Sequence, residues 1–260
     1  MLLLIDAMNL VRRIFAAQHS NTKSGSGSQK SIDDTFLHCQ NAILKNIERT
    51  SASHVALVFD GKGPTWRHEL YSDYKAGRAP TPPDLAEQLL AFRHQIEKLG
   101  IACLLYEQFE ADDVIATLAS KAAQHRMPVT IVSTDKGFMQ LSNEFIELYH
   151  HFEKRSLSCD DVRQTLGFGP GQLIDYLSLV GDTTNHVPGV PGVGPKTAGA
   201  LLDQFTDLDS ILINSDSIPG KVGENIKSHF TTALLARKMV TLKLDCPLHI
   251  NLSDLRYKGV

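Results

Sequence analysis

Short apolar runs rich in Leu, Ile and Val alternate with longer amphipathic segments along roughly the first 150 residues of the chain. Runs of this length are typical of buried strands, whereas amphipathic stretches of about ten residues or more favour helices. The predicted strands are residues 2–5, 54–59, 101–106, 129–133 and 146–149. Strands that alternate with helices indicate βα units, so the sequence predicts an α/β fold with a mostly parallel central sheet flanked by helices.

The clearest helix is predicted for residues 110–124, where one stripe is apolar and acids stand in the first turn. After about residue 155 the strand pattern stops, and short helices are predicted at residues 159–166, 170–180, 195–204, 208–213 and 231–242. We therefore expect an α/β domain over residues 1–157 and a helical domain over residues 158–260. Residues 19–31 are rich in Ser, Gly, Asn and Lys and are predicted to be a mobile loop.

The cysteines and the first residues of the chain bear on its cellular location. Cys39, Cys103, Cys159 and Cys246 are far apart and form no metal-binding pattern, which predicts free thiols and a cytoplasmic protein. The first apolar run reaches Asp6 too soon for a signal peptide or a membrane span, so no membrane association is expected. The formal net charge of −3 is weak evidence about nucleic acid, because acids gathered in one metal site would mask basic surfaces elsewhere.

Acidic residues follow four successive predicted strands. They are Asp6, Asp60, the group Glu110, Asp112 and Asp113, and Asp135. The carboxyl ends of parallel strands face one crevice, so these side chains should converge there, and divalent cations would relieve their mutual repulsion. Ligation by oxygen alone favours Mg²⁺ or Mn²⁺ over zinc. Any one of these acids could instead be a helix cap or a solvated loop residue, and Asp112 and Asp113 could simply favour a helix dipole.

A glycine-rich turn in residues 181–198 follows a further acid, Asp182, and leads into a helix that carries Lys196. Its glycines let the backbone approach a ligand, Pro195 suits the first helical position, and the free N–H groups of the helix face an anion. A sugar-phosphate backbone is the expected ligand. The alternative is an ordinary helix N-terminus after a Gly/Pro loop.

Four segments together resemble the bacterial and phage 5′-nuclease family, which includes the N-terminal domain of DNA polymerase I and free-standing flap endonucleases. They are FDGKGPTWRHELYSDYKAGRAPTPPDL (59–85), YEQFEADDVIATLA (106–119), STDKGFMQL (133–141) and GDTTNHVPGVPGVGPKTA (181–198). The resemblance runs from residue 2 to about residue 244 and is nearest to the free-standing members. It implies a PIN-like nuclease core, a helix-hairpin-helix module for DNA, and cleavage of the 5′ flaps that displacement synthesis raises.

The resemblance also implies the metal ligands. The first metal site maps onto Asp6, Asp60, Glu110 and Asp112, with Asp113 between the two sites. The second site keeps Asp135 and Asp182, whereas Gly137 and Asn185 stand where the family usually has two more acids. Up to two Mg²⁺ ions are expected, with the second weakly held and Mn²⁺ as a substitute. Activity could be retained, reduced or confined to particular ions.

The YKAGR segment resembles part of the arch that admits the 5′ strand, and it supplies Tyr74, Lys75 and Arg78. Lys75 and Arg78, three apart on a helix, are expected to face a substrate phosphate and to join Asp112 and Asp113 as catalytic residues. Tyr74 is expected to stack on a base, with Arg67 as a neighbour of the pair. A solvated basic face with a packed tyrosine is the alternative. Arg12 and Arg13 could meet the scissile region, or one of them could be a surface charge.

In the hairpin, the resemblance implies contacts to duplex phosphates without base reading. The expected DNA contacts are Gly192, Val193, Gly194, Pro195, Lys196 and Thr197. A potassium ion is expected on the main-chain carbonyls of Leu179, Val180, Pro188, Val190 and Val193. Lys221, Lys227, Arg237 and Lys238 extend this surface or form a solvated helix face.

The sequence therefore predicts a Mg²⁺-dependent, structure-selective 5′ flap endonuclease that acts as a monomer on branched DNA, with any polymerase cooperating in trans. Water is the expected nucleophile, with 5′-phosphate and 3′-hydroxyl products. The alternative is a weakly active or inactive protein that binds branched DNA, because two ligands of the second metal are absent. A phosphatase with an aspartate nucleophile ranks last, since residues 6–9, Asp-Ala-Met-Asn, lack its Asp-x-Asp motif.

Overall fold

The computed structural model describes residues 1–19 and 29–259. The strands are β1 (Leu2–Asp6), β2 (His54–Asp60), β3 (Ala102–Tyr106), β4 (Val129–Val132), β5 (Ile146–His150) and β6 (Arg155–Leu157). The α-helices are α1 (Ala7–His19), α2 (Gln29–Thr50), α3 (Trp66–Leu70), α4 (Pro83–Lys98), α5 (Ala111–Gln124), α6 (Cys159–Leu166), α7 (Leu173–Val180), α8 (Pro195–Phe205), α9 (Leu208–Ile213), α10 (Gly220–Ser228) and α11 (Phe230–Val240). Short 3₁₀ helices lie at Lys136–Leu141, Pro170–Gln172, Ser215–Ser217 and Leu252–Leu255.

The strands form one sheet in the order β3-β2-β1-β4-β5-β6. The first five are parallel to their neighbours, and β6 is antiparallel to β5. The α/β fold with a mostly parallel sheet is therefore confirmed, and so are all five predicted strands. Strand β6 was missed because Arg155–Leu157 is only three residues long and two of them are exposed polar residues.

Strand β1 lies at the centre of the sheet and is buried over its whole length. Side chains alternate between the two faces of a strand. Leu2 and Leu4 pack on the face that α5 covers, and Leu3 and Ile5 pack on the face of α1, α2 and α4. Burial on both faces explains why this strand reads as an uninterrupted apolar run rather than as an alternating pattern.

The predicted helices after residue 155 are all present, although the one over residues 170–180 begins as a 3₁₀ turn before α7. Helices α7 to α11 surround a third hydrophobic cluster that includes Leu179, Ala198 and Ile226. Helix α10 was not predicted. Its Gly223 packs so closely that a Cβ there would lie 2.1 Å from the carbonyl oxygen of Ile218. None of the helices in the described ranges is long and apolar enough to cross a membrane.

The C-terminal segment returns to the α/β core after α11. Leu248 and Leu255 are buried in the cluster beneath α5. The hydroxyl of Tyr106 donates to the Leu248 carbonyl at 2.5 Å, and the amide of Tyr257 donates to the Ser53 carbonyl at 3.0 Å. The two parts of the chain are thus joined by more than one connection. The domain boundary at residues 157/158 stays a prediction.

The segment predicted to be a mobile loop, residues 19–31, lies mostly outside the described residues. Helix α1 extends to His19, and α2 begins at Gln29.

Candidate active site

The acidic residues converge at the carboxyl edge of the sheet. Asp6 ends β1, Asp60 ends β2, and Asp135 follows β4. Connections leave the neighbouring strands β1 and β4 toward opposite sides, and ligands bind in α/β sheets at such a switch point. Glu110 and Asp112 enter the same crevice from the start of α5, whose N-cap is Glu110.

Burial and mutual repulsion change the ionisation of these acids. Burial raises the pKa of Asp6 to about 7, with the Asn9 amide opposing and the charges of Asp60 and Asp135 adding to the effect. Burial also raises the pKa of Asp112 well above its usual range, and the charges of Asp135 and Asp6 raise it further while Lys75 opposes. Asp6 and Asp112 are thus each affected by the charges of the neighbouring aspartates.

A cleft of about 520 Å³ joins the core acids to the helical part of the chain. Asp112 and Asp135 line it from the core, and Asp182 lines it from the loop between α7 and α8. Arg13 and Arg78 also lie on its wall. Acids that are up to 72 positions apart in sequence, from Glu110 to Asp182, thus line one space.

The donor set fits a hard divalent cation, because carboxylate oxygens are the ligands that Mg²⁺ and Mn²⁺ prefer. Repulsion among Asp6, Asp112 and Asp135 supplies a physical need for such a charge. Across residues 1–19 and 29–259, however, no three His, Cys, Asp or Glu side chains stand close enough to hold a metal ion as they are. Several of these carboxylate oxygens accept hydrogen bonds from the protein.

Asp113 does not fit the predicted role of metal ligand and catalytic residue. It is fully buried, and each of its two oxygens accepts two hydrogen bonds. Oδ2 accepts from Arg67 Nη1 at 2.7 Å and Trp66 Nε1 at 3.0 Å, and Oδ1 accepts from Arg67 Nη2 at 2.9 Å and the Lys243 amide at 3.0 Å. A carboxylate has about four acceptor positions, so none is left for a metal.

Arg67 was expected as a neighbour of Lys75 and Arg78, and it lies on the wall of the same cleft as Arg78. Only 2% of the residue is exposed. Besides Asp113 it contacts Glu110 Oε2 at 2.9 Å, and its Nε donates to the Met239 carbonyl at 2.7 Å. Despite the cost of burial, these acids raise the pKa of the guanidinium, led by the hydrogen bonds to Asp113. Arg67 therefore holds α5 against the end of α11.

Tyr74 is not available to stack on a base. It is 5% exposed and packs against Val187 and Met239, and its hydroxyl donates to Glu110 Oε2 at 3.0 Å. Burial, and then the charge of Glu110, raises its pKa. The packed tyrosine that the sequence left as an alternative is what the structure contains.

Lys75 and Arg78 lie on turns rather than on a helix, and Lys75 has a left-handed φ of 55°. The Lys75 ammonium donates to Glu110 Oε1 at 2.8 Å, and its amide donates to the Asn185 carbonyl at 2.9 Å. Arg78 is exposed on the cleft wall. The two cations still face the crevice, although a turn and not helical spacing brings them there.

Gly137 and Asn185 both supply N–H donors to the acids beside them. The Gly137 amide donates to Asp135 Oδ1 at 2.7 Å, and Asn185 Nδ2 donates to Asp182 Oδ2 at 2.6 Å. The Thr184 amide also donates to Asp182 Oδ1 at 2.9 Å. Hydrogen bonds therefore take up part of the negative charge at the second predicted metal site.

The predicted DNA-contact turn is exposed apart from two side chains. Gly192 has a φ of 76°, and Gly194 is the N-cap of α8 with Pro195 at its first position. Because proline has no N–H, the free amides at this end include those of Lys196 and Thr197. Lys196 is exposed and Thr197 is half-buried. Val193 is buried in the helical core, so its side chain cannot contact DNA and only its backbone remains a candidate.

The predicted potassium carbonyls belong to a tightly packed part of this hairpin. The Leu179 carbonyl accepts the Val190 amide at 2.8 Å, and the Val190 carbonyl accepts the Val193 amide at 3.0 Å. A Cβ on Gly189 would lie 2.5 Å from the carbonyl oxygen of Val180. The potassium site itself, including Pro188, stays a prediction.

Sequence reasoning missed the residues that hold the site together. Gln140 Nε2 donates to the carbonyls of Gly137 (2.8 Å) and Val240 (3.1 Å), and its Oε1 accepts from the Leu242 amide (3.0 Å). Asn225 Nδ2 donates to the Pro191 carbonyl at 2.8 Å and fixes the hairpin. Neither has a sequence signal, because the partners Val240, Leu242 and Pro191 are distant along the chain.

A mostly parallel sheet with acids at its switch point, joined through a cleft to a helical hairpin module, defines a nuclease of the 5′-nuclease class. The family model "5′-3′ exonuclease, N-terminal resolvase-like domain" matches residues 1–167, and the model "5′-3′ exonuclease, C-terminal SAM fold" matches residues 168–260. The chain belongs to the 5′-3′ exonuclease family.

Curated relatives match over nearly their full lengths. The protein named flap endonuclease Xni from Psychromonas ingrahamii is 42% identical over 98% of this chain and 97% of its own. The protein of the same name from Cronobacter sakazakii is 39% identical over 99% and 98%. Among solved structures, phage T5 D15 protein with metal ions has a TM-score of 0.78 at 18% identity, covering 92% of this chain and 88% of its own. The last similarity supports the fold alone.

Proposed function

We propose that this protein is a structure-selective flap endonuclease that hydrolyses a phosphodiester at the base of a 5′ single-stranded arm with the help of divalent cations. The observation that carries the proposal is the convergence of carboxylates from the core and from the hairpin loop on one cleft that also holds Arg78. The names of the relatives over nearly the whole chain support the same activity.

Asp6, Asp60, Glu110 and Asp112 are the residues we propose to hold the first cation. A bound divalent cation supplies an activated water and neutralises charge on the phosphate. The protein's own residues prepare the site: Ser133 Oγ and the Asn9 amide each donate to Asp6 at 3.0 Å, and the Ala111 amide donates to Asp60 at 3.0 Å. These bonds fix the orientation of the carboxylates.

Lys75 and Arg78 are proposed to bind the scissile phosphate and to stabilise the negative charge that develops during hydrolysis. Lys75 is already oriented by Glu110, so a phosphate that enters the crevice meets a positioned ammonium. Water attacks phosphorus while the bond to the 3′-oxygen breaks, leaving a 5′-phosphate and a 3′-hydroxyl.

The second cation is proposed to be the weaker one. Asp135 and Asp182 remain as its protein ligands, and the amide groups of Gly137 and Asn185 stand where further carboxylates would add charge. Mg²⁺ is the expected ion and Mn²⁺ a substitute, because both accept oxygen ligands. Fewer carboxylates lower the affinity of the site before the substrate phosphate arrives.

The hairpin is proposed to grip the duplex beside the flap. The start of α8 presents backbone amides, an exposed ammonium and a hydroxyl, which come from Gly192, Gly194, Lys196 and Thr197. These groups suit phosphate binding without base reading. The proposal carries further expectations. A potassium ion would bind the neighbouring carbonyls, and the enzyme would be monomeric and cytoplasmic. A polymerase would act with it in trans.

The test is cleavage of a labelled 5′-flap duplex with and without Mg²⁺ in a buffer that contains potassium. The protein is expected to cut at the junction only when the metal is present. Asp112→Asn should abolish this cleavage, and Lys75→Ala should slow it about 10²–10³-fold. Asp160→Asn is the matched control, because Asp160 is an exposed acid on α6 that forms an ion pair with the exposed Arg163.

The second candidate function is binding of branched DNA without cleavage, which the sparse second metal site favours. Tight flap binding with no cutting in either Mg²⁺ or Mn²⁺ would support that function and overturn the endonuclease proposal. Cutting that Asp160→Asn and Asp112→Asn affect equally would show that the carboxylate cluster is not the site.

A further inference from the structure

The segments that follow β1 and β4 leave the sheet toward opposite faces. The two strands are neighbours, and their last register pair is Ile5 with Val132. Beyond that pair, α1 packs on one face of the sheet and the 3₁₀ helix Lys136–Leu141 packs on the other. Strand pairing therefore does not fix the distance between Asp6 and Asp135, which are proposed ligands of different cations.

One asparagine side chain joins the two segments. Asn9 lies in the first turn of α1, and its Nδ2 donates to Thr134 Oγ1 at 3.0 Å. Its Oδ1 accepts from the Thr134 amide at 3.2 Å and from the Thr134 hydroxyl at 3.1 Å. The two residues are 125 positions apart in sequence, and both are half-buried on the wall of the cleft. Both polar ends of the Asn9 side chain thus bind the residue directly before Asp135.

The same segments are linked through the carboxylate of Asp6. The Asn9 amide donates to Asp6 Oδ1 at 3.0 Å. Ser133 Oγ donates to Asp6 Oδ2 at 3.0 Å and accepts from the Asp135 amide at 3.1 Å. Two carboxylates on neighbouring segments repel each other, so these bonds hold close what the charges would separate. The Asn9–Thr134 pair is the part of the linkage that involves neither carboxylate.

The separation of the two acids bears directly on the chemistry. Hydrolysis assisted by two cations needs the ions about 3.5–4 Å apart, and a productive site holds its groups within about 0.5 Å of the required geometry. A site rich in carboxylates attracts a cation strongly by charge alone, whereas the second site keeps only Asp135 and Asp182 as acids. The position of Asp135 relative to Asp6 therefore matters more in this chain.

We propose that Asn9 is a positioning residue, whose side-chain pair with Thr134 sets the separation of Asp6 and Asp135 and with it the separation of the two cations. The proposal rests on the proposed flap endonuclease function. Asn9 acts through Thr134 and not on the cations themselves, because its side-chain amide is occupied by that residue. A contact that only stabilised the fold would affect both cations alike or neither of them.

The test uses Mn²⁺ as the probe, with the full chain bound to a nicked duplex that carries the 5′-phosphate of the cleaved product. Electron paramagnetic resonance detects the magnetic coupling between two Mn²⁺ ions about 3.5–4 Å apart, and calorimetry gives the affinity of each ion. Asn9→Leu keeps much of the volume but neither polar atom. It should bind the second Mn²⁺ about tenfold more weakly and lose the coupling. The affinities for the first Mn²⁺ and for the duplex should not change.

Two variants of Thr134 separate the hydrogen bonds from the fold. Thr134→Val keeps the shape and the amide bond to Asn9 but loses the hydroxyl, so it should show part of the loss. Thr134→Ser keeps the hydroxyl and should bind the second Mn²⁺ as the wild-type protein does. If thermal unfolding shows that Asn9→Leu is misfolded, the comparison of these two variants decides the question.

Asn143→Leu is the matched control. Asn143 Oδ1 also accepts from two backbone amides, those of Phe145 at 2.8 Å and Ile146 at 3.1 Å, but its loop does not line the cleft. This variant should keep the coupled Mn²⁺ pair. The proposal would be overturned by an Asn9→Leu variant that keeps the pair, by equal losses of affinity for both ions, or by a Thr134→Ser variant no better than Thr134→Val. A wild-type protein that binds only one Mn²⁺ would overturn it as well.

The two proposals fail in different ways. A wild-type protein whose coupled Mn²⁺ pair is lost in Asn9→Leu, but which never cuts the flap, would refute the nuclease function and leave the positioning role standing. A protein that cuts the flap while Asn9→Leu keeps the coupled pair would keep the function and refute the positioning role.

Discussion

Replacing Arg67 by methionine should destabilise the protein more than any exposed charge change. The guanidinium donates two hydrogen bonds to Asp113, one to Glu110, and one each to the carbonyls of Met239 and Thr241. Methionine keeps much of the volume but leaves the buried Asp113 without its cation, whereas Glu110 keeps Lys75.

The structure sets the size of the effect. Breaking a buried ion pair by removing one partner costs about 3–5 kcal/mol, because the other charge stays buried and unpaired. A native protein is stable by only about 5–15 kcal/mol, so Arg67→Met should remove a large part of the total. The midpoint of thermal unfolding should fall by about 8–16 °C if the loss is near 4 kcal/mol.

The assay is urea unfolding followed by circular dichroism, with Arg237→Met as the matched control. Arg237 pairs with Asp209 at 2.8 Å on the surface, and removing such an exposed pair costs about 1 kcal/mol or less. The double variant Arg67→Met with Asp113→Asn should recover part of the loss, because it removes one unpaired charge. Equal stability of Arg67→Met and Arg237→Met, or no recovery in the double variant, would refute the reasoning.

Two further results are expected. Gly189→Ala should disrupt the hairpin and abolish duplex binding, because its Cβ would lie 2.4 Å from the Val180 carbonyl carbon, and a variant that binds duplex normally would contradict this packing. The control is Gly199→Ala on α8, where an added Cβ meets no atom within 4 Å. This variant should stabilise the protein by about 0.5–1 kcal/mol in the same unfolding assay. The metal-free protein should lose stability as pH rises from about 4 to about 7, because the pKa of Asp6 is about 7 in the folded protein and near its usual 3.8 in the unfolded chain. Urea midpoints that rise over this pH range would contradict the prediction. Added Mg²⁺ should reduce the loss of stability at pH 7.

Much of the fold could be predicted from the sequence. Strands β1, β2 and β4 are short runs of mostly apolar residues because most of their positions are buried on both faces, and burial of that kind leaves a local signal. The acids were also visible, because each stands at the end of a predicted strand or at the start of α5. Strand β6 and helix α10 were not visible, since a three-residue exposed strand and a helix containing two glycines carry no such pattern.

The sequence predicted which residues lie at the site but not the role of each one. Tyr74 looks like a stacking residue in sequence, yet Val187 and Met239 bury it. Arg67 looks like a phosphate-binding residue, yet it pairs with Asp113. Both outcomes depend on the end of α11, which lies more than 160 residues further along the chain and whose position the local sequence does not specify.

Asp112 and Asp113 show what the sequence by itself determined and what only the tertiary structure decided. The sequence predicted both acids at the start of one helix, and the family resemblance predicted both to be metal ligands. Successive residues on a helix point about 100° apart, so one carboxylate faces the cleft and its neighbour faces the protein interior. There Arg67, Trp66 and Lys243, brought from two distant segments, occupy every acceptor of Asp113. Composition and order along the chain fix which acids are present, whereas packing between distant segments fixes which of them remain free to bind a cation.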